Sequence, residues 1–338
     1  MNRFKTQLLA LATLFFPFTA SAQYTIYPIP HTQTAGKGSK VAFTKNVNIV
    51  CDDAIDTYTR QRAQTILAEH GFTATISTTE SNTLSNIYLG VASGNGLTKA
   101  AATKLQLNLS VLTKSGKFDR HVLSLTNAHD GVAQLIIIGE NTDATFMGLA
   151  SLEQMLDAET KQMSTVTISD YADLKERGII EGFYGKPYSS EVRKDLLRFM
   201  MRNKMNCYVY GPKSDVYHSG KWTEAYPTEL TEAQRKSGFV TQQDLREFTD
   251  VAHQTKVSVV WAIHPGDDLL NDNGVVEKIM GKFAKMHTLG FRQFAVFADD
   301  VNRPENQNDM NLTASRIADI QRSIESRWNT NSTSLPTS

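Results

Sequence analysis

The sequence predicts an α/β protein, an N-terminal α+β domain followed by a (β/α)8-type TIM barrel of which about the first four βα units are present. Up to about Asp173, short β-rich runs of alternating polarity are interleaved with helical patterns. Beyond it the rhythm changes to four runs, Arg177 to Ile180, Met205 to Tyr210, Val257 to Ile263 and Phe291 to Phe297, each separated from the next by a helical stretch. These runs are apolar on both faces, as parallel strands covered by helices require. A barrel and an open doubly wound sheet both satisfy that pattern. No GxGxxG or phosphate loop follows the first run, which favours the barrel.

In chain order, residues 1–22 read as an export signal. Arg3 and Lys5 form a basic start, Leu8 to Ala20 is apolar, and Ala20, Ser21 and Ala22 supply small residues for cleavage before Gln23. The apolar stretch falls short of the roughly 20 residues of a spanning helix and is broken by Pro17. The expected location is therefore the periplasm or the outside, free of the membrane after cleavage. Residues 23–173 form the noncatalytic α+β domain. Its strand candidates are Val41 to Val50, Thr73 to Ser77, Asn86 to Val91, His121 to Thr126 and Ala133 to Ile138. Its helix candidates are Ile55 to His70, ended by Gly71, and Asp143 to Leu156, with Phe146, Leu149, Leu152 and Leu156 at helical spacing. Helices on one face of a sheet are expected. Residues 174–328 form the partial barrel, which closes on a helical stretch around Leu312 to Trp328. The tail 329–338, rich in Asn, Ser and Thr, reads as disordered.

Composition removes several function classes. Lys plus Arg and Asp plus Glu both number 35, so no net field draws the chain to nucleic acid or an anionic membrane. The only cysteines, Cys51 and Cys207, exclude a disulfide framework; each sits in or beside an apolar run and is expected as a buried free thiol.

The residues that carry chemistry fall just after the barrel strands: Gly182 to Gly185, Gly211 and Lys213, His264 and Gly266, and Asp299 with Asp300. Barrel enzymes place catalysis at that mouth. The acid pair ends the apolar run Phe294 to Ala298, where an arbitrary Asp-Asp would more often be a solvated turn or a helix cap. Two adjacent carboxylates in partial burial push their pKa values apart, so one holds a proton while the other stays ionised. Adjacent residues do not straddle a sugar ring as an ordinary acid and nucleophile do. If this pair cleaves a glycoside, the nucleophile comes from elsewhere, and the carbonyl oxygen of a 2-acetamido group provides one. That points to N-acetylated sugars.

The segments GIIEGFYG (Gly178 to Gly185), NKMNCYVYGPK (Asn203 to Lys213), Asp215 with Tyr217 and His218, VWAIHPG (Val260 to Gly266) and FAVFADDV (Phe294 to Val301) resemble, in order and spacing, successive motifs of glycoside hydrolase family 84. The resemblance implies a retaining β-N-acetylglucosaminidase, exo-acting on terminal β-linked N-acetylglucosamine, including that on serine and threonine of proteins; some members have been called hyaluronidases. It implies Asp300 as general acid and then base, and Asp299 as the group that orients the acetamido N–H and stabilises an oxazoline intermediate. Lys213 and the backbone of Gly182 would hydrogen-bond sugar hydroxyls, Tyr184 would line the pocket, and no metal or organic cofactor would be used. The α+β domain is similar in form to the noncatalytic domain that precedes the barrel in several hexosaminidase families.

From Glu176 onward there are roughly 160 residues, where a whole barrel takes about 250. Only four strands are legible, so a half barrel with lost or reduced activity is expected, self-associating through its exposed edges. Three other readings compete. One is an inactive remnant that binds N-acetylglucosamine, and another is a metal-dependent hydrolase built on His264, Asp267, Asp268, Asp299 and Asp300, which lack a recognisable ligand spacing. The third is family 20, which uses an Asp–Glu pair where this chain has Asp299 and Asp300.

Overall fold

The computed structural model describes residues 24–36, 38, 40–158, 160–298 and 306–328. The expected export signal and the tail lie outside the described residues. The first domain runs β1 (Thr32–Ala35), β2 (Asn46–Cys51), α1 (Thr57–Glu69), β3 (Thr73–Ser77), β4 (Ser85–Val91), α2 (Leu97–Lys104), β5 (Phe118–His129), β6 (Val132–Gly139), α3 (Thr142–Ala158) and β7 (Val166–Ala172). They form one mixed sheet in the order β1-β7-β5-β6-β4-β2-β3, parallel from β3 to β6 and antiparallel from β6 to β1.

Strand alternation assigns the two faces. Ile49, Ile87, Leu89, Leu123, Leu135 and Ile137 pack with Ile66 and Leu67 of α1 and Leu149, Leu152 and Leu156 of α3. Val50, Tyr88 and Ile136 point the other way and meet Ala101 and Ala102 of α2. Helices therefore cover both faces, which corrects the one-face expectation. The segment LTKAAATK of α2 is short and its apolar side is mostly alanine, so its periodicity is faint. The run Val41 to Val50 also divides: Val41 and Ala42 make isolated bridges to Met163 and Val132, and regular pairing begins at Asn46.

The second domain runs β8 (Gly178–Glu181), α4 (Ser190–Arg202), β9 (Cys207–Tyr210), α5 (Glu232–Lys236), α6 (Gln242–Thr255), β10 (Ser258–Ile263), α7 (Asp268–Asn271), α8 (Val275–Thr288), β11 (Gln293–Val296) and α9 (Gln307–Trp328). Its four strands are all parallel and add in sequence order. No reversal of order occurs, unlike a doubly wound sheet. Tyr208, Tyr210, Trp261, Phe294 and Val296 face outward into one core with Leu197 of α4, Phe248 of α6, Phe283 of α8 and Ile320 of α9. Cys207, Val209, Val260, Ala262 and Ala295 face the opposite, concave side. Helices on the outside and small side chains within are the arrangement of successive barrel units.

An ionic seam joins the domains at the N-terminal ends of the barrel strands. Lys204, just before β9, reaches Asp170 of β7 at 2.7 Å, and Arg177, just before β8, reaches Asp119 of β5 at 2.5 Å. Lys256, before β10, bridges Asp56 and Asp143, and Arg202 at the end of α4 reaches Glu153 and Asp157 of α3. The first domain gives the acids and the barrel gives the bases.

Gly178 opens β8 where a Cβ atom would lie 1.5 Å from the carbonyl oxygen of Cys207. Gly178→Ala is expected to separate β8 from β9 and to cost about 3 kcal/mol or more, read as a lower denaturant midpoint. An unchanged midpoint would refute this close pairing.

Candidate functional site

The mouth is assembled at the C-terminal ends of the four strands. Pairing continues one step past β8 and β9, with the Gly211 N–H donating to the Glu181 carbonyl at 3.0 Å and that of Lys213 to the Phe183 carbonyl at 3.1 Å. On the other side the Phe297 N–H donates to the Ile263 carbonyl at 2.8 Å. The Phe297 ring then lies over the glycines of the first two loops. A Cβ on Gly211 would come within 2.5 Å of Phe297 Cε2 and 3.1 Å of His218 Cε1, and one on Gly182 would stand 3.8 Å from Phe297. Gly211 is therefore a space requirement, whereas Gly182 tolerates more.

Two buried carboxylates fasten the loops. Glu181, the last residue of β8, accepts from Arg193 Nε and Nη2 of α4 at 2.8 Å each, from the Tyr208 hydroxyl at 2.6 Å and from the Tyr188 N–H at 3.1 Å. Both ends of the loop that carries Gly182 and Tyr184 are thus tied to one carboxylate. Asp215 does the same for the next loop. It accepts from the hydroxyls of Tyr210 at 2.7 Å and Tyr226 at 2.6 Å and from the Tyr217 N–H at 2.9 Å, and Trp261 Nε1 donates to the Tyr226 hydroxyl at 3.2 Å. Burial first, and the Asp215 charge next, push both tyrosine hydroxyls well above their ordinary range, so they stay protonated donors.

His218 ends that loop fully buried. Its Nδ1 lies 2.7 Å from the Ala262 carbonyl, which makes Nδ1 the protonated nitrogen, and Nε2 is a buried lone pair with no partner. Burial pulls its pKa down to about 4. His121, buried at the domain seam with Nδ1 on the Asp119 carbonyl, is lowered to about 4 for the same reason.

Of the residues singled out in the sequence, Gly182, Tyr184 and Lys213 come together at this mouth. Tyr184 is 71% exposed, and Lys213 Nζ lies 5.9 Å from its ring centroid. Asp299 and Asp300 lie outside the described residues. His264 donates its N–H to the His218 carbonyl at 2.9 Å, a backbone tie between loops. Among the described residues no group of three metal-ligating side chains converges, and Asp268 accepts from Trp222 Nε1 at 3.0 Å. Cys51 and Cys207 are free, buried in separate cores, and raised by burial to about 11. Sequence reading missed the anchors: Glu181 and Arg193 lie on different elements, and only the single carboxylate inside the apolar run GIIE hints at a buried partner.

Residues 177–336 match the sequence profile of the β-N-acetylglucosaminidase family, and residues 23–171 match domain 2 of glycosyl hydrolase family 20. Protein O-GlcNAcase of Rattus norvegicus and that of Mus musculus are each 32% identical over 126 residues, which is 37% of this chain and 13% of theirs. The solved structure of CpGH84D superposes with a TM-score of 0.72 at 32% identity, over 89% of this chain and 49% of its own. That of CpGH84B gives 0.71 at 26% identity, over 92% and 48%. The chain thus spans about half the length of these structures and a smaller share of the curated relatives.

Gly211→Ala is expected to displace Phe297 and cost about 1–3 kcal/mol, a loss that denaturant titration would register. Acid should also weaken the fold. His121 and His218 bind a proton in the unfolded chain from about pH 6.5 and in the folded chain only near 4. Their contribution is intact above about pH 6.5 and is lost as pH falls toward 4, by about 2 kcal/mol per histidine at pH 5. Equal urea midpoints at pH 7 and pH 5 would contradict this.

Proposed function

Because the chain belongs to glycoside hydrolase family 84, we propose that it is a retaining, exo-acting β-N-acetylglucosaminidase that releases terminal β-linked N-acetylglucosamine from glycoconjugates, O-linked N-acetylglucosamine on proteins among them. Asp300 gives its proton to the glycosidic oxygen while the acetamido carbonyl oxygen attacks the anomeric carbon, so that carbon–oxygen bond breaks and an oxazoline forms. Asp300 then takes a proton from water as it opens the oxazoline, and the two inversions retain configuration. Asp299 accepts from the acetamido N–H and balances the positive charge that develops on the ring. Lys213 and the Gly182 backbone hold sugar hydroxyls, and Tyr184 offers an exposed ring to the sugar face. No metal or organic cofactor enters these steps. The basic, apolar and small-residue leader supports export from the cytoplasm as the setting.

The single observation that carries this reading is the convergence of four successive parallel strand ends on one mouth, with Gly182, Tyr184 and Lys213 there, and with Asp299 and Asp300 following the fourth strand in the sequence. A second reading, a protein that holds N-acetylglucosamine without cleaving it, has one observation in its favour. Ile180 of β8 sits on the concave side in register with Val209 yet is 61% exposed, so the described residues wall the mouth from one side only.

Residues 23–338 incubated with an aryl N-acetyl-β-glucosaminide are expected to release the phenol. Asp300→Asn should lower the rate about 100- to 10,000-fold, and a chelator should leave it unchanged. Turnover that survives Asp300→Asn, or that a chelator abolishes, would overturn the mechanism. Saturable sugar binding without turnover would select the second reading.

A further inference from the structure

Helix α8 places a charge among apolar and aromatic neighbours. Lys282 is buried beside Ile279, Phe283 and Met286. Its ammonium lies 4.9 Å from the ring centroid of Tyr226, 5.4 Å from that of Trp261 and 5.9 Å from that of Tyr217, and it donates to the carbonyl oxygen of Glu224. Three ring faces within about 6 Å form a cage that attracts a cation. The same rings hold Asp215. Tyr226 turns its face to Lys282 and its hydroxyl to the carboxylate, Trp261 supports that hydroxyl, and the Tyr217 N–H reaches the other carboxylate oxygen. One aromatic wall therefore has a cation on one side and an anion on its edge.

We propose that Lys282 is a positioning residue: by its contact with the Tyr217–Tyr226–Trp261 cage it fixes the groups that donate to Asp215, and so holds the Gly211 to His218 loop, with Lys213, at the mouth. Asp215 is the charge that most strongly favours the protonated lysine. Lys285 on the same helix opposes it, and Glu224 adds a weaker attraction. Burial is the largest influence and lowers the ammonium to about 8. The clamp is thus charged at neutral pH and loses its charge as pH rises through about 8. The importance of Lys213 at the mouth rests on the hydrolase reading; the clamp on the loop does not.

Amide hydrogen exchange on residues 23–338 tests it. The reporter is the Tyr217 N–H, which donates to Asp215 directly, corrected for the intrinsic pH dependence of exchange. Its protection should fall about tenfold between pH 7 and pH 9 in the wild type, be low at both values in Lys282→Met, and stay high at both in Lys282→Arg, whose charge persists. Amides of α6 should not follow this pattern. Wild-type protection in Lys282→Met, the result if the side chain only fills space, would overturn the proposal, as would a flat wild-type profile. The wild-type series needs no variant, so a Met variant that fails to fold leaves the test decisive. No sugar enters the measurement, so absence of hydrolysis would count against the proposed function alone.

Discussion

Four parallel strands reach a common mouth only if the side chains inside their curve are small enough for the backbones to bend around. Here the concave side carries Cys207, Val209, Val260, Ala262 and Ala295, while the tyrosines, Trp261 and Phe294 face outward. Gly211 takes the constraint to its limit, because Phe297 and His218 occupy the volume a methyl group would need. That close packing sets the direction in which β11 leaves the sheet.

Opposite the mouth, the domains meet through charge. Arg177, Lys204 and Lys256 each stand just before a barrel strand and reach acids of the first domain. Partly buried pairs of this kind return little net free energy, since desolvation offsets the attraction. We read the seam as orienting the domains more than stabilising them. It also separates the two ends of the strands, with domain attachment at one and the candidate site at the other, as barrels generally do.

Substrate-assisted chemistry suits such a scaffold. Under the proposed mechanism the nucleophile belongs to the substrate, so the acid pair would supply both the proton donor and the anion, and the neighbouring loops would need only to hold the sugar. Those loops are fixed in position because Glu181 and Asp215 each tie several donors together in low dielectric, where such bonds gain strength and leaving one unmade is costly.

Much of this was legible in the chain. Thr73 to Ser77 is a strand with the bounds its alternation indicates, and the four doubly apolar runs are the four parallel strands, because periodicity is a local consequence of what each face touches. The strands β1 and β7 escaped notice: Thr32 to Ala35 is mostly exposed, and Val166 to Ala172 alternates with polar residues that resemble a loop. The sequence by itself determined the order and polarity of the barrel elements and which residues follow each strand. Only the tertiary structure decided which buried charges meet: Glu181 with Arg193, Asp170 with Lys204, Lys282 with the rings around Asp215. A buried charge takes its partner from whatever element packs across from it, and that is settled by the assembly of distant segments, which no local pattern encodes.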